Sequence, residues 1–311
     1  KKYMKIAYIS EMGNRGQISR VGRDFDMMRT EWSWPCALEA DLFPFDTEPA
    51  GITYDLGLVI LPKQNLHLWR NSKFFERARK FCKKISIRHE DYKLEDQIWY
   101  YNSLKNADIL YVHNKLDVEY YRGITGHEDI RILPSLMVTD RVNDLPEVER
   151  EGVMIGGNFV SWYGGFDSYV VAKSIDETIY SPQMGRRQEG EEQLGINQLP
   201  FMSWVDWIKA LNNRKYGVHL MRTHAAGTFA LNCAFLGIPC IGYKGLDTQE
   251  ICHPQLSIEI GEIEKAKEML GNLKNNSYFY KECSEQAKEN YKKYYHEDIF
   301  NTTFKKQFKI S

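Results

Sequence analysis

The sequence predicts an α/β protein of two domains, each built on a parallel sheet with crossover helices. Short apolar runs alternate with longer amphipathic stretches along the whole chain, which is typical of parallel strands joined by helices. A single polar segment interrupts this alternation, which then begins again. The length of 311 residues suits two domains of about 150 residues each.

The first half opens with a short apolar strand that leads into a glycine-containing loop. The run LGLVIL at 56–61 is apolar throughout, as expected of a buried strand in a parallel sheet. The predicted strands cover 5–10, 56–61, 85–88, 108–112 and 131–133, and the predicted helices cover 29–41, 74–84 and 95–106.

The second half begins after residues 139–152, which are polar and charged, contain Pro146 and predict a linker. A strand at 152–155 then ends in two glycines. A helix at 228–236 stops at Gly237 with Pro239 just beyond it, as helix C-termini often do. The other predicted strands cover 217–221 and 239–242, and the other predicted helices cover 168–176, 263–272 and 277–308.

The composition excludes several classes of protein. A net charge of −1 gives no general attraction to nucleic acid or to an anionic membrane. The six cysteines form no CxxC pair, which argues against zinc-ribbon and thioredoxin-like sites and favours buried, reduced thiols. No apolar run approaches the ~20 residues of a membrane span, and no signal peptide is evident, so we expect a cytoplasmic protein without a membrane span.

The strongest local motif is the strand–loop–helix at 217–236. Its loop contains Arg222, His224 and Gly227, and its helix begins at Thr228. Helix N-termini bind phosphate through unpaired N–H groups and the positive end of the helix dipole. Gly227 permits a close backbone approach, and Thr228 can cap the helix or give its hydroxyl to a phosphate. The alternative is an ordinary capped α/β helix.

The end of this segment carries a resemblance to a known family. The run LGIPCIG at 236–242 resembles the Gly-x-Pro ending that follows the donor-site helix in glycosyltransferases of the GT-B fold. The resemblance implies two Rossmann-like domains that face each other across a cleft holding the substrates. It implies domains at 1–145 and 146–290, with a C-terminal helix at 291–311 crossing back to the first domain.

The same resemblance implies one donor contact with an unusual side chain. The acidic residue that holds the donor ribose in this family falls by spacing on Asn232. An asparagine can hydrogen-bond a ribose hydroxyl, but without the added strength of a charge.

The segment at 195–211 resembles the family's loop and helix beside the donor base. By position, the resemblance implies that the backbone of Phe201, Met202 and Ser203 contacts the base. Trp204 and Trp207 are better interpreted as core anchors of an amphipathic helix.

Further donor contacts are expected after the first strand of the second half. The family places groups on the donor phosphates at this turn, which implies Gly157 and Asn158, although glycines there also suit tight turns. Arg187 is a third candidate because a guanidinium suits a diphosphate leaving group, with a solvated surface charge as the alternative.

The catalytic base is expected in the first half, after the strand at 85–88. His89, Glu90 and Asp91 follow this strand at the carboxyl edge of the sheet, and ionisable groups there can deprotonate an acceptor hydroxyl. Phage DNA glucosyltransferases resemble the chain here, because they have an acidic residue after the equivalent strand. The alternative is a turn or helix-capping cluster. Glu11, directly after the first strand, is a second candidate.

The loop at 10–28 is long, and it is rich in arginine and glycine. Arg15, Arg20 and the nearby Arg29 are candidates to bind an acceptor with phosphate groups, to clamp the donor diphosphate, or to remain solvated. Asp24-Phe25-Asp26 matches a DxD metal motif but does not follow a buried apolar strand, so we predict no protein metal site. A divalent ion on the donor diphosphate stays compatible with the sequence.

These features together predict sugar transfer from a nucleotide sugar, with a UDP-sugar favoured as donor and no further cofactor. The first hypothesis for the acceptor is a hydroxymethylated pyrimidine in double-stranded phage DNA, which would place the protein in the host cytoplasm. A cell-surface glycan or lipid acceptor is the alternative transferase hypothesis. A sugar-nucleotide epimerase of the same fold and a nucleic-acid-binding module without activity are the hypotheses from other classes. The sequence leaves the oligomeric state open.

Overall fold

The computed structural model describes residues 3–62, 65–89, 97–182 and 187–308. It divides into two compact units. The first comprises Lys1–Phe25, Thr30–Pro134 and Asn301–Ser311, and the second comprises Asp26–Arg29 and Ser135–Phe300.

The first unit contains a six-stranded parallel sheet in the order β2-β1-β3-β4-β5-β6. Its strands are β1 (Ile6–Ser10), β2 (Asp41–Pro44), β3 (Tyr54–Ile60), β4 (Cys82–Arg88), β5 (Ile109–Val112) and β6 (Ile130–Ile132). The helices between them are α1 (Thr30–Ala37), α2 (Leu66–Asn71), α3 (Phe74–Phe81), α4 (Gln97–Leu104) and α5 (Lys115–Thr125).

The central strands are apolar because both faces of the sheet are covered. Ala7, Ile9, Val59 and Ile87 are fully buried in the core of this unit. A parallel sheet buried on both faces needs such continuous apolar strands, which is the pattern that the sequence shows.

Several first-half elements differ from the sequence prediction. The helix predicted at 29–41 ends at Ala37, because the chain turns through the left-handed Glu39 (φ 49) and enters β2. The short strand β2 and the helices α2 and α5 were not predicted. Glycine at the α5 C-cap, Gly126 with φ 66, is the local signal that marks the end of α5.

The C-terminal helix α12 (Glu297–Gln307) ends in the first unit. The ring of Phe304 stacks on Tyr111 with 6.2 Å between ring centroids. The Tyr111 hydroxyl donates to Gln307 Oε1 at 2.9 Å, and the Arg131 guanidinium donates to the Gln307 carbonyl. These contacts fix the last helical turn beside β5 and β6.

The second unit contains another six-stranded parallel sheet, in the order β12-β11-β10-β7-β8-β9. Its strands are β7 (Glu151–Ile155), β8 (Ile179–Ser181), β9 (Asn197–Gln198), β10 (Arg214–His219), β11 (Cys240–Tyr243) and β12 (Ser257–Ile258). Its helices are α6 (Gly165–Ala172), α7 (Trp204–Asn212), α8 (Thr228–Leu236), α9 (Asp247–Cys252), α10 (Ile263–Asn275) and α11 (Ser277–Asn290), followed by one π-helical turn at Tyr291–Tyr295.

Both sheets with their helices give the predicted α/β fold of two Rossmann-like units. All six cysteines are free and buried. Among the described residues, no helix has the length and the apolar composition that crossing a bilayer requires.

Candidate functional site

The candidate site in the second unit lies at the carboxyl ends of its parallel strands. These ends share one edge of the sheet, where open α/β sheets bind their ligands. The end of β7 leads into Gly156-Gly157, the end of β9 leads into the loop before α7, and the end of β10 leads into the loop before α8. The donor residues predicted from the sequence lie in or next to these three segments, except for Arg187 and Asn232.

The N-terminus of α8 depends on Gly227. This residue, and not Thr228, occupies the cap position, in the left-handed conformation with φ 71. The Thr248 hydroxyl donates to the Gly227 carbonyl at 2.8 Å, and a Cβ at Gly227 would overlap that hydroxyl oxygen. Conformation and space therefore both require glycine at a helix start that points N–H groups toward the edge of the sheet.

The turn after β7 is equally tight. Gly157 has φ 76, and a Cβ there would lie 2.8 Å from the Tyr163 carbonyl oxygen. Asn158 is buried, and its Oδ1 accepts a hydrogen bond from the Val160 backbone N–H at 3.1 Å. The Asn158 side chain thus shapes the turn from inside, and its predicted contact with the donor stays a prediction.

Arg222 is held in place at the same edge by a carboxylate. Its Nη2 donates to Asp167 Oδ2 at 3.0 Å, and the Tyr243 hydroxyl donates to the same oxygen at 3.0 Å. The Asp167 carboxylate raises the pKa of Arg222, so the guanidinium stays charged. About half of the Arg222 side chain (52%) remains exposed, which gives a fixed cation that an anion can reach.

Two other predicted donor residues are His224 and Arg187. The His224 ring packs on Gly245, where a Cβ would lie 2.6 Å from His224 Nε2. Arg187 is exposed on the segment after β8.

Asn232 lies inside the unit. It is 1% exposed, and its Oδ1 accepts a hydrogen bond from Trp207 Nε1 at 3.0 Å. Within the described part of the chain, its Nδ2 is buried and has no hydrogen-bond partner. Asn232 therefore links α7 to α8 through its Oδ1, and its predicted contact with the donor ribose stays a prediction.

We expect Trp207→Phe to lower the free energy of unfolding by about 1–3 kcal/mol, because it leaves the buried Asn232 amide without any partner. Urea unfolding of the variant measures this loss. A double variant with Asn232→Leu, which removes the orphaned amide as well, should recover part of it. Equal stability of Trp207→Phe and the unchanged chain would contradict the link.

The loop before α7 presents an exposed aromatic ring. Phe201 is 62% exposed, and the Arg29 guanidinium lies over its ring at 5.1 Å. Arg29 Nη2 also donates to the Met202 carbonyl at 3.1 Å. The Ser203 side chain caps α7, because its Oγ accepts from the Asp206 N–H and donates to Asp206 Oδ2. Trp204 is buried, as predicted.

His219 is a candidate residue that was not predicted from the sequence. It ends β10, it is buried beside Gly156 and Phe229, and neither ring nitrogen has a hydrogen-bond partner among the described residues. Burial lowers its pKa to about 4. A lone histidine at the carboxyl end of an apolar strand was the available signal.

Stability is expected to depend on pH through His219 and the buried His253. Burial lowers the pKa of each imidazole from 6.5 to about 4, so the unfolded chain binds more protons between these values. The contribution of these two neutral histidines to the free energy of unfolding should be fully present above pH 6.5 and should decrease as the pH falls toward 4.

Urea titrations at several pH values test this dependence. His219→Leu should flatten the slope of stability against pH by about one proton, and at neutral pH it should be neutral or stabilising because no hydrogen bond is lost. An unchanged slope would argue against a buried, neutral His219.

The carboxyl edge of the first sheet holds a buried cluster that also was not predicted. Arg88 ends β4, and its Nε donates to His113 Nε2 at 2.7 Å. His113 Nδ1 lies 2.9 Å from the Leu133 carbonyl oxygen, which requires the tautomer protonated at Nδ1. The Trp34 ring stacks on His113 with 5.3 Å between centroids. This cluster joins β4, α1 and the segments after β5 and β6 directly before the predicted base.

His89 follows Arg88 and is half-buried. Its ring packs against Tyr100 at 4.8 Å and Tyr121 at 5.6 Å. Glu90 and Asp91 lie outside the described residues. Glu11 is exposed directly after β1. The catalytic role of these four residues stays a prediction.

The arginines of the first loop are paired with acids. Arg15 pairs with Asp46 and Arg20 pairs with Asp41, while their side chains stay 82% and 65% exposed. The loop is also fastened to β2, since Ser19 and Leu42 exchange two backbone hydrogen bonds. Arg29 differs from both, because it belongs to the second unit. Among the described residues, no group of three His, Cys, Asp or Glu side chains has the arrangement of a metal site.

Comparisons with known proteins identify similar folds at low sequence identity. No family model matches the chain, and no curated protein matches it. Among solved structures, Anabaena HepE in complex with UDP and glucose superposes with a TM-score of 0.68 at 11% identity, over 98% of this chain and 99% of that one. WaaG, a glycosyltransferase involved in lipopolysaccharide biosynthesis, gives 0.64 at 13% identity, over 96% and 98%.

TarM gives a TM-score of 0.65 at 11% identity. The match covers 82% of this chain but only 54% of the length of TarM. At these identities the likeness concerns the fold. The resemblance to phage DNA glucosyltransferases has no counterpart among these structures. The chain therefore has the two-domain α/β fold of the GT-B glycosyltransferases.

Proposed function

We propose that the chain is a glycosyltransferase that uses a nucleotide-sugar donor. The observation that carries the proposal is the arrangement of hydrogen-bond donors at the carboxyl edge of the second sheet, which suits a diphosphate. There the glycine-capped N-terminus of α8 and the exposed, carboxylate-held Arg222 offer N–H donors and positive charge. The complex of HepE with UDP and glucose supports a UDP-sugar as the donor.

The chemistry follows from where charge develops. Transfer breaks the bond between the sugar C1 and the diphosphate oxygen, and the electron pair stays on the diphosphate. C1 forms a new bond to the acceptor oxygen, whose proton passes to a base. Arg222 and the α8 terminus would stabilise the growing negative charge of the leaving diphosphate.

The proposed base is His89, Glu90 or Asp91, with Glu11 as the second candidate. The first support is position, because His89 follows β4 at the carboxyl edge of the first sheet. The second support is packing, because the half-buried imidazole is held against the rings of Tyr100 and Tyr121, and an imidazole is a group that can accept a proton from a hydroxyl.

A donor panel tests the proposed function. The protein is incubated with UDP-, GDP- and ADP-sugars, and nucleotide release and melting temperature are measured. We expect one donor to be hydrolysed slowly and to raise the melting temperature. If no donor is hydrolysed and none shifts the melting temperature, the transferase proposal fails. Recovery of an isomerised donor would support the epimerase hypothesis instead.

Arg222→Met is expected to lower turnover about 100-fold or more, because it removes a charged donor from the leaving group. Asp167→Asn should have a smaller effect, about 10-fold, since Arg222 keeps its charge but loses its fixed orientation. Lys281→Met is the matched control, because it removes an exposed, acid-paired cation on α11 of the same unit. Equal activity of Arg222→Met and Lys281→Met would contradict the role of Arg222.

For the acceptor, we propose a hydroxyl on a substrate that carries phosphate groups, with hydroxymethylated pyrimidine DNA as the first case and a glycan or lipid as the second. The exposed guanidinium groups of Arg15 and Arg20 support an anionic acceptor, although Asp46 and Asp41 offset part of their charge. Mass spectrometry of hydroxymethylated DNA after incubation with donor decides the first case. If Arg15→Ala with Arg20→Ala leaves salt-dependent DNA affinity unchanged, the DNA hypothesis is wrong.

A further inference from the structure

A four-residue segment of the first loop is built into the second unit. Asp26–Arg29 clusters with this unit, although the residues on either side of it belong to the first. The Asp26 carbonyl accepts a hydrogen bond from the Trp204 N–H at 2.7 Å, and the Asp26 carboxylate pairs with Arg141 at 3.0 Å. Met28 is 1% exposed. The segment is therefore fixed against the start of α7, and Arg29 stands at its end.

Arg29 and Phe201 form a surface with two kinds of group. The guanidinium lies 5.1 Å from the ring centroid, and its Nη2 donates to the Met202 carbonyl at 3.1 Å. Partial burial lowers the pKa of Arg29 from its ordinary value. The Phe201 ring nevertheless stays 62% exposed. An exposed aromatic ring beside a partly desolvated, planar cation is a combination that stacks flat aromatic ligands.

The place of this surface fits a nucleotide. The loop that carries Phe201 follows β9, two strands from β7, whose end carries the Gly157 turn. Parallel strands lie about 4.8 Å apart, so the two strand ends are separated by about 10 Å. A diphosphate near Gly157 and α8 would place an attached nucleoside in the direction of Phe201.

The chemistry of Arg29 distinguishes between bases. A guanidinium only donates hydrogen bonds, so it favours a base edge with carbonyl oxygens. Uracil offers two such oxygens. Adenine has no carbonyl oxygen. Its acceptors are ring nitrogens, and N1 and N7 lie next to an amino group that only donates, so a guanidinium placed for a carbonyl oxygen is mismatched to those edges. A partly buried donor also discriminates more strongly than a fully solvated one.

We infer that Arg29 is a specificity-determining residue of the nucleotide-sugar site. Its guanidinium donates a hydrogen bond to a carbonyl oxygen of a uracil that stacks on Phe201, and it disfavours adenine. This rests on the proposed function, and it assigns Arg29 to the donor instead of the acceptor. Phe201 contributes stacking, which every base can use, whereas Arg29 contributes the choice between bases.

The test measures the dissociation constants of UDP, ADP and inorganic pyrophosphate by calorimetry on the full chain. For Arg29→Met we expect at least a 10-fold weaker affinity for UDP, less than a 3-fold change for ADP, and less than a 2-fold change for pyrophosphate. Phe201→Leu should instead weaken UDP and ADP by similar factors and leave their ratio unchanged.

Two further variants serve as a substitute and as a control. Arg29→Lys keeps the charge but loses the planar fork, and it should lower the preference for UDP over ADP. It replaces Arg29→Met in the test if that variant does not fold. Arg70→Met, which removes another arginine that lies over an aromatic ring (6.0 Å from Trp99), should change none of the three affinities.

The outcomes separate the two proposals. If Arg29→Met weakens UDP and pyrophosphate alike, or if the UDP-to-ADP ratio is unchanged, the inference is overturned while the transferase proposal stands. If the unchanged protein binds neither UDP nor ADP, the inference is overturned, whereas the proposed function fails only if the GDP-sugars of the donor panel also give neither hydrolysis nor a shift in melting temperature.

Discussion

Gly227→Ala is expected to lower transferase activity about 100-fold or more and the free energy of unfolding by about 2–5 kcal/mol. An alanine in the left-handed conformation costs about 1–2 kcal/mol, and overpacking of a filled site costs a further ~1–3 kcal/mol. The new Cβ would overlap the Thr248 hydroxyl, so the start of α8 must shift away from α9. A displacement of about 1 Å of a binding group costs about 100-fold in rate.

The steric part of this effect can be isolated. Gly195 has a similar φ of 67 but faces open space, so Gly195→Ala measures the conformational cost alone. Gly271, in the middle of α10, also faces open space, and Gly271→Ala should stabilise by about 0.5–1 kcal/mol. Combining Gly227→Ala with Thr248→Ala should recover the overlap term only. If Gly227→Ala is nearly as active as the unchanged chain, the proposal that the N-terminus of α8 binds the donor is wrong.

The sequence predicted best those features that depend on neighbours along the chain. The helix Thr228–Leu236 was predicted with its observed bounds, because a glycine precedes it and Gly237 ends it in the left-handed conformation. The repeated alternation of strands and helices was sufficient for the α/β class and for two units, since it reflects two sheets covered on both faces.

Features that depend on distant residues could not be predicted. Nothing near Arg29 in the sequence indicates that it lies over Phe201, because the contact joins residues far apart in the chain. Asn232 was placed by spacing as a ribose contact, whereas its burial and its bond to Trp207 arise only when α7 packs on α8. The strand β10 begins at Arg214, earlier than predicted, because pairing with Glu151 of β7 extends it through polar residues.

Gly164→Ala is expected to have the largest effect on stability, a loss of about 4 kcal/mol or more. Gly164 caps α6 with φ 66, and a Cβ there would overlap the carbonyl oxygen of Leu220 and lie 2.6 Å from its carbonyl carbon. The obstacle is backbone at the end of β10, so no side chain can rotate away. A substitution that forces backbone apart in a packed core belongs to the most destabilising class.

The sequence signal for Gly164 is a glycine pair, which suits any tight turn, and only the approach of Leu220 makes the residue irreplaceable. Gly126→Ala is the matched control, because Gly126 caps α5 with the same φ of 66 and has nothing within 4 Å of the added Cβ. Urea unfolding should give about 1–2 kcal/mol for the control, and the difference between the two variants measures the backbone overlap. No truncation of a neighbouring side chain should rescue Gly164→Ala, in contrast to Gly227→Ala with Thr248→Ala. If Gly164→Ala and Gly126→Ala lower the free energy of unfolding equally, the turn at Gly164 relaxes freely. The loop between β7 and α6 then cannot hold a donor phosphate in a fixed position.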